Sequence, residues 1–208
     1  MPKREATSAA ERLAALKARA NRCEQCDLFE RATQTVFGAG SATAAIVFVG
    51  EQPGDVEDRQ GEPFVGPAGR LLREAISEAG IDLKDVYLTN SVKHFKWVER
   101  GKRRIHDRPN REEILACRMW LDEELAAIKP KIVVALGATA ASVVFGASAR
   151  VLRDRGKWLD SRLAPAATVT VHPSSILRAP DPAARDQARR DFIADLRKIA
   201  KRLKERRE

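Results

Sequence analysis

The sequence predicts a three-layer α/β/α domain around a central, mostly parallel sheet of four strands. Four short apolar runs rich in β-branched residues alternate with longer segments of helical periodicity, and this alternation is typical of such folds. Polar segments follow three of the four runs, as they do where a parallel sheet builds a ligand crevice. The 208 residues contain no internal repeat and no low-complexity linker, so we expect a single domain over residues 1–208.

The predicted strands are short and bounded by residues that end strands. They cover residues 44–49, 86–89, 132–136 and 167–171. The first ends at Gly50, the second at Asn90, the third before Gly137 and the fourth at His172.

The predicted helices have apolar residues on one face and recognisable end signals. They cover an N-terminal segment within residues 1–20, where the pattern runs from Thr7 to Asn21, and then residues 67–79, 111–128, 137–144 and 182–204. Pro67 suits a first helical turn, Gly80 suits a helix end, and Asn110 suits an N-cap. Residues 93–109 have no such pattern and are predicted to be a basic loop insertion.

Net charge, the lack of long apolar runs and the number of cysteines limit the kinds of protein and of binding partner that the sequence allows. The formal net charge of +9 favours an anionic partner, and nucleic acid is the first candidate. No run approaches the roughly 20 apolar residues of a membrane span, and the first residues lack the apolar region of a signal peptide, so we expect a cytoplasmic protein without membrane contact. Three cysteines are an odd number, which argues against a disulfide framework. Nothing indicates an obligate protein partner, and a monomer is expected.

The loop after the first strand carries the most informative local pattern. Residues 50–58 read GEQPGDVED, in which glycines let the backbone approach a ligand and Pro53 stiffens the bend. An acidic surface turn is the alternative. Because strands of a parallel sheet end at the same edge, residues 51–58, 90–94 and 172–175 are predicted to converge on one site.

Three further features allow both a functional and a structural interpretation. Asn90 could read the edge of a base or simply form a turn, and His172 could be functional or structural. Residues 101–106, GKRRIH, lie within a basic tract. That tract is either a solvated loop or a loop that grips phosphate and carries an imidazole toward the crevice.

Six motifs together resemble one enzyme superfamily. In chain order they are GEQPGDVED, GEPFVGPAGRLL, YLTNSVKHFK, GKRRIH, ACRMWL with PKIVVALGATA, and VHPSSILR. This order is similar to that of the uracil-DNA glycosylase superfamily, and more narrowly of the UdgX group near the iron–sulfur family 4 enzymes. The resemblance covers roughly residues 20–200. The KRRIH segment is specific to the UdgX group.

The resemblance implies a [4Fe–4S] cluster with a structural role. Its ligands would be Cys23, Cys26, His94 and Cys117, with His94 in the place of the third family 4 cysteine. An imidazole ligand removes negative charge and should raise the reduction potential. A vacant or zinc-filled site is the alternative.

The resemblance also assigns roles in binding uracil and DNA. Uracil would lie among Gly50, Gln52, Asp55, Phe64 and Asn90, with Phe64 stacking on the base, Asn90 bonding its edge and backbone N–H groups near Gln52 binding a carbonyl oxygen. His172 would stabilise the charge on the departing uracil. The DNA contacts would be Lys102, Arg103, Arg104, Ser174, Ser175, Ile176 and Leu177. Among these, the serines would grip phosphate, Arg104 would contact phosphate or loop carbonyls, and Ile176 with Leu177 would wedge into the vacated stack.

The implied reaction ends on His106. Gln52 stands where the best-known hydrolytic branch has a water-activating Asp, and an amide cannot act as a general base. The C1′ cation left by uracil would therefore react with His106, which Glu51 would orient, to give a covalent adduct with DNA. The substrate would be uracil-containing DNA, single- or double-stranded. Two alternatives are an ordinary multiple-turnover uracil-DNA glycosylase and a non-catalytic iron–sulfur protein that binds nucleic acid.

Overall fold

The central sheet contains the four predicted strands, and all four are parallel. The computed structural model describes residues 7–205. The strands are β2 (Ile46–Gly50), β3 (Val86–Asn90), β6 (Ile132–Leu136) and β8 (Ala166–Thr170). They lie side by side in the order β3-β2-β6-β8, with every residue buried. The register brings the end of β2 level with the end of β3, where Gly50 pairs with Asn90.

The sheet is wider than the predicted four strands. Among the described residues it has six, because β1 (Ala39–Gly40) and β7 (Trp158–Leu159) add antiparallel edges beside β3 and β8. A strand of two residues has no alternation of apolar and polar side chains to reveal it in a sequence. The α/β class and the mostly parallel sheet are confirmed.

Helices cover both faces of the sheet. They are α1 (Ala9–Ala20), α2 (Leu28–Arg31), α3 (Asp55–Gln60), α4 (Pro67–Glu78), α5 (Arg111–Ile128), α6 (Gly137–Phe145), α7 (Val151–Asp154), α8 (Pro173–Leu177) and α9 (Pro182–Glu205). Residues 1–6 of the predicted N-terminal helix lie outside the described part of the chain. No helix within the described part is both long and apolar enough to cross a membrane.

Two apolar clusters form the core, one on each face of the sheet. Helices α1, α5 and α6 bury side chains such as Leu13, Leu121 and Val144 on one face. Helices α4 and α9 bury side chains such as Leu72 and Phe192 on the other. This arrangement is the three-layer sandwich that the sequence predicts.

The predicted basic insertion contains a hairpin. Strands β4 (Trp97–Arg100) and β5 (Arg103–His106) pair antiparallel, and Gly101 takes the left-handed conformation in the turn, with φ of 59°. Helix α5 follows, with Asn110 as its N-cap and a reciprocal bond from Glu113, as predicted. The hairpin therefore lies between two fixed elements, β3 and α5.

Candidate active site

A cavity of about 700 Å³ opens where the parallel strands end. Residues after β2, β3, β6 and β8 line it, together with the last residue of the hairpin. The lining side chains include Glu51, Asn90, Gly137, His172 and His106. The three polar segments that follow predicted strands thus meet at one edge of the sheet.

Two rings form a slot within this cavity. The rings of Phe64 and His172 are stacked, with centroids 6.2 Å apart and an angle of 29° between planes. Phe64 has φ of 58°, a left-handed backbone that costs roughly 1–3 kcal/mol in a non-glycine residue. Two glycines make room around it: a Cβ at Gly69 would collide with the Phe64 backbone, and a Cβ at Gly50 would collide with the Asn90 amide and the Phe64 ring. The backbone is held so that a flat group can lie beside the Asn90 amide.

His172 is held as a neutral imidazole. Its Nδ1 accepts the backbone N–H of Ser174 at 3.2 Å and lies 2.8 Å from Ser174 Oγ. Burial first, and then the nearby Arg178 and His106, together lower the pKa of His172 to about 4. Because Nδ1 accepts, the proton sits on Nε2. His172 can therefore donate a hydrogen bond without carrying a charge.

His106 belongs to a second group of side chains on the cavity wall. Its Nε2 lies 3.3 Å from Glu51 Oε1, and the other Glu51 oxygen accepts a hydrogen bond from the Thr139 hydroxyl. Thr139 lies in the first turn of α6, whose positive end favours a carboxylate. The imidazole is half exposed at 48%, so it is open to a ligand while one nitrogen faces a fixed carboxylate.

Gln52 fixes both ends of the hairpin. Its buried amide accepts from the N–H of Lys96 at 3.0 Å and donates to the carbonyls of Lys96 and Asp107 at 3.1 and 2.9 Å. Since His106 precedes Asp107, this clamp sets where the imidazole stands. The Gln52 side chain is thereby occupied by the protein itself.

Arg104 pins the hairpin from another side, and not through the predicted contacts. Its guanidinium donates to Asp55 Oδ1 at 2.5 Å, to Asp58 Oδ2 at 2.7 Å and to the Thr33 hydroxyl at 3.1 Å. It is only 16% exposed. These bonds differ from the predicted contacts with phosphate or loop carbonyls, and the phosphate contact stays a prediction. Asp55, predicted to bind uracil, instead pairs with Arg104 and Arg59 and is not among the residues lining the cavity.

The residues that are predicted to contact DNA differ in their exposure to solvent. Lys102 and Arg103 are exposed in the hairpin, and Ser174 and Ser175 line the cavity. Ile176 is 1% exposed and packs in the core, whereas a wedge has to leave the protein surface, so its predicted role is not supported by its position and stays a prediction. In the predicted wedge pair, only Leu177, 36% exposed, remains accessible.

Some lining residues had no clear signal in the sequence. They are Glu57, Leu152 and Arg178. Thr139, which bonds to the lining residue Glu51 without lining the cavity itself, had no clear signal either. Thr139 comes shortly after β6, and the residues around the end of that strand are apolar or small. No polar segment there predicts a functional residue. Glu57 looks like a surface acid, but it is buried and accepts the N–H groups of Gly54 and Gly66 at 3.1 and 2.8 Å.

The three cysteines among the predicted cluster ligands lie close enough to influence one another. Cys23 and Cys117 are buried, and Cys26 is half-buried. Burial, with a smaller effect of Cys26 and Cys23, raises the pKa of Cys117 to about 12 although the Lys93 N–H and charge oppose it. The N–H of Lys93 donates to Cys117 Sγ, and the Trp120 indole donates to Cys23 Sγ, each at 3.2 Å. Such bonds to sulfur are typical around iron–sulfur clusters. Within residues 7–205, no group of three or more His, Cys, Asp or Glu side chains has the spacing to hold a single metal ion.

One nitrogen of His94 fits a ligand role. The ring is buried, Nε2 lies 2.9 Å from the Thr35 hydroxyl, and Nδ1 has no hydrogen-bond partner. A buried ring nitrogen without a partner is costly unless something binds it. The residues present therefore fit a cluster with three thiolates and one imidazole.

Comparison with known proteins gives a consistent set of relatives. The profile of the Uracil DNA glycosylase superfamily matches residues 37–197. The type-4 uracil-DNA glycosylase of Thermotoga maritima is 37% identical over 187 residues, which cover 89% of this chain and 92% of that protein. The type-4 enzyme of Pyrobaculum aerophilum is 37% identical over 165 residues, covering 76% and 81%. That of Archaeoglobus fulgidus is 36% identical over 184 residues, covering 85% and 86%.

Proposed function

Because the chain belongs to the uracil-DNA glycosylase superfamily, we propose that it excises uracil from DNA and captures the resulting sugar cation on His106. The observation that carries the second part is the contact between His106 Nε2 and Glu51 Oε1 at 3.3 Å, on the wall of the cavity that also holds Asn90 and His172. Excision alone needs no nucleophilic side chain at that position.

The side chains of the slot account for both the binding of uracil and its departure. The base stacks on Phe64, and the Asn90 amide offers a donor and an acceptor to its edge. As the bond between uracil and C1′ breaks, its electron pair leaves on the base. Neutral His172 donates its Nε2–H to the oxygen where that charge collects, and it does so without being reorganised.

Capture uses the lone pair of His106. With one ring nitrogen donating to Glu51, the other nitrogen has a free pair that forms a bond to C1′. The ring becomes positively charged, and the carboxylate of Glu51 stabilises it or accepts its N–H proton. Gln52 carries a neutral amide, so the residue after Glu51 cannot act as a general base for water.

Denaturing gel electrophoresis tests capture directly. The protein is mixed with a single-stranded oligonucleotide that contains one uracil, and free uracil is measured in parallel. We expect a band that survives heat and detergent and is absent with a thymine control. His106→Ser should lose the band and still release uracil, because water then reaches the cation. His172→Ala should slow uracil release by about 10²–10³-fold, the usual cost of one donor to a developing oxyanion.

The two other functions give different outcomes. Free uracil and an abasic strand without the stable band would make this a multiple-turnover glycosylase and would contradict capture. Binding of the oligonucleotide without any free uracil would indicate a non-catalytic DNA-binding protein.

We also propose that the chain holds a [4Fe–4S] cluster on Cys23, Cys26, His94 and Cys117. The buried thiols, the two N–H groups aimed at sulfur and the partnerless His94 Nδ1 support this set. When bound, the cluster would supply a cross-link between the segment after α1 and helix α5. Iron and acid-labile sulfide analysis of anaerobically purified protein tests it, and zinc in place of iron would contradict it.

A further inference from the structure

Thr35 is a buried threonine whose hydroxyl has two partners. Its Oγ1 lies 2.9 Å from the carbonyl oxygen of Ala20 and 2.9 Å from Nε2 of His94. The residue is 9% exposed, and neither the six sequence motifs nor the active-site cavity includes it. The hydroxyl joins the end of α1 to a proposed cluster ligand that lies 59 residues further along the chain.

The two contacts decide which atom carries each proton. A carbonyl oxygen only accepts, so the single hydroxyl proton of Thr35 points at Ala20. The hydroxyl oxygen is then left to accept from His94, and Nε2 of the imidazole carries the proton. In a neutral imidazole the other nitrogen keeps a lone pair. That nitrogen is Nδ1, the buried atom without a hydrogen-bond partner among the described residues.

Backbone hydrogen bonds keep the segment of Thr35 beside the segment of His94. The N–H of Val36 donates to the carbonyl of Lys93 at 2.8 Å, which pairs the residue after Thr35 with the residue before His94. The N–H of Lys93 donates to Cys117 Sγ at 3.2 Å. Lys93 therefore contacts both the Thr35 segment and one of the proposed sulfur ligands.

The Ala20 carbonyl connects the same hydroxyl to a second proposed ligand. Ala20 is the last residue of α1, so its carbonyl has no partner within the helix. It accepts the N–H of Cys23 at 3.0 Å as well as the Thr35 hydroxyl. Three hydrogen bonds in a row thus link the backbone of Cys23 to the ring of His94. If the hydroxyl is removed, the carbonyl keeps its bond from Cys23, so the ring of His94 is the group that loses its partner.

We propose that Thr35 selects Nδ1 of His94 as the nitrogen that binds iron and makes the imidazole a stronger ligand. This inference rests on the proposed cluster. The group that accepts the second N–H of a ligating histidine fixes its tautomer and raises its basicity. A more electron-rich ligand favours the oxidised cluster, so the hydroxyl keeps the reduction potential below the value that the imidazole alone would set. Thr35 is thus a positioning residue that acts through His94.

The rate at which the cluster is lost tests the strength of the ligand. Anaerobically purified protein is mixed with an excess of an iron chelator, and the visible absorbance of the cluster is followed. Thr35→Val removes the hydroxyl and keeps the shape, and it should lose the cluster about tenfold faster than wild type, because outer partners of ligating histidines contribute at least that much to metal affinity. Thr35→Ser returns the hydroxyl and should restore a rate close to that of wild type.

Thr168→Val is the matched control for removing a buried hydroxyl. Thr168 is 3% exposed, and its hydroxyl donates to the Lys157 carbonyl at 2.7 Å and to none of the proposed ligands. This variant loses a bond of the same kind as the bond from Thr35 to Ala20. It should lose the cluster at the wild-type rate.

The reduction potential reports the electronic effect, which a purely structural role would not move in the same pattern. Titration with visible absorbance as the readout should give a higher potential for Thr35→Val than for wild type, and an unchanged potential for Thr35→Ser and Thr168→Val. In a His94→Cys background a thiolate replaces the imidazole. Thr35→Val should then leave the potential unchanged, because the ring through which the hydroxyl acts is gone.

Each other outcome contradicts a stated part of the argument. A Ser variant as impaired as Val, an unaltered potential in Thr35→Val, or an equal shift in the His94→Cys background would overturn the role of Thr35. Wild-type protein without iron and sulfide would overturn the proposed cluster and this inference with it. Uracil release is measured on the same preparations. Its absence beside a cluster that responds as expected would overturn the proposed excision and leave the role of Thr35 supported.

Discussion

Thr139 connects helix α6, through Glu51, to His106, the proposed nucleophile. Its hydroxyl donates to one oxygen of Glu51 while the other oxygen faces His106, and Thr139 itself is 1% exposed. A carboxylate held at both oxygens cannot turn away from the imidazole. The order of side chains, hydroxyl to carboxylate to imidazole, is that of a nucleophile with an orienting base, which gives Thr139 a positioning role.

Removing only the hydroxyl of Thr139 tests that role. Thr139→Val keeps the shape and loses a hydrogen bond to a charged group, which is worth about 1.5–3 kcal/mol. We expect the ratio of covalent adduct to free abasic product to fall by about tenfold. Thr139→Ser should restore it, because the donor returns. A Ser variant as impaired as Val, or a ratio unchanged in both, would show that Thr139 only fills space.

At the scale of single residues, the sequence predicted which residues lie at the cavity better than it predicted which partners each residue contacts. Glu51, Asn90 and His172 meet at the cavity because each follows a strand, and strand ends can be predicted. Arg104 and Ile176 have different surroundings from those predicted. A motif gives the type of residue at a position, but the partners of Arg104 lie 46 and 49 residues away in sequence.

The hairpin β4–β5 is the element that brings His106 to the cavity. Gln52 holds its two ends, and Arg104 ties its middle to α3. Local sequence does not predict this element, since half of its strand residues are charged and the strands show no alternation of apolar and polar side chains. The longer strands were predictable as continuous apolar runs, because both of their faces are buried, and the helices were predictable because burial of one face imposes a period on the sequence.

Loosening the hairpin should reduce capture more than excision. Arg104→Lys keeps the charge beside the buried Asp58 but loses the forked contact to Asp55 and Asp58. We expect a lower ratio of adduct to abasic product and faster cleavage of the hairpin by trypsin under native conditions. Arg103→Lys, on an exposed neighbour in the same strand, is the matched control. Equal ratios in the two variants would mean that Gln52 alone fixes His106.

At the scale of the whole molecule, a buried ion pair joins helix α5 to the end of β3. Lys93 and Glu124 are both 0% exposed, with Nζ and Oε2 2.6 Å apart. Lys93 Nζ also donates to the Asn90 carbonyl at 2.9 Å, and Glu124 accepts the Tyr87 hydroxyl at 3.1 Å. Sequence places Lys93 at the start of a basic insertion, where exposure is the usual outcome. Its partner lies 31 residues away on α5, so only the fold reveals the pairing.

This pair sets the last prediction, which concerns stability. Lys93→Met leaves the Glu124 carboxylate buried without its cation, and such a loss costs about 3–5 kcal/mol of unfolding free energy. The double variant Lys93→Met with Glu124→Gln removes both charges and keeps an oxygen for Tyr87, so it should recover at least half of that loss. Denaturant unfolding followed by circular dichroism measures both. If the double variant is as unstable as the single one, packing of the Lys93 side chain, and not the unpaired charge, decides the stability of this region.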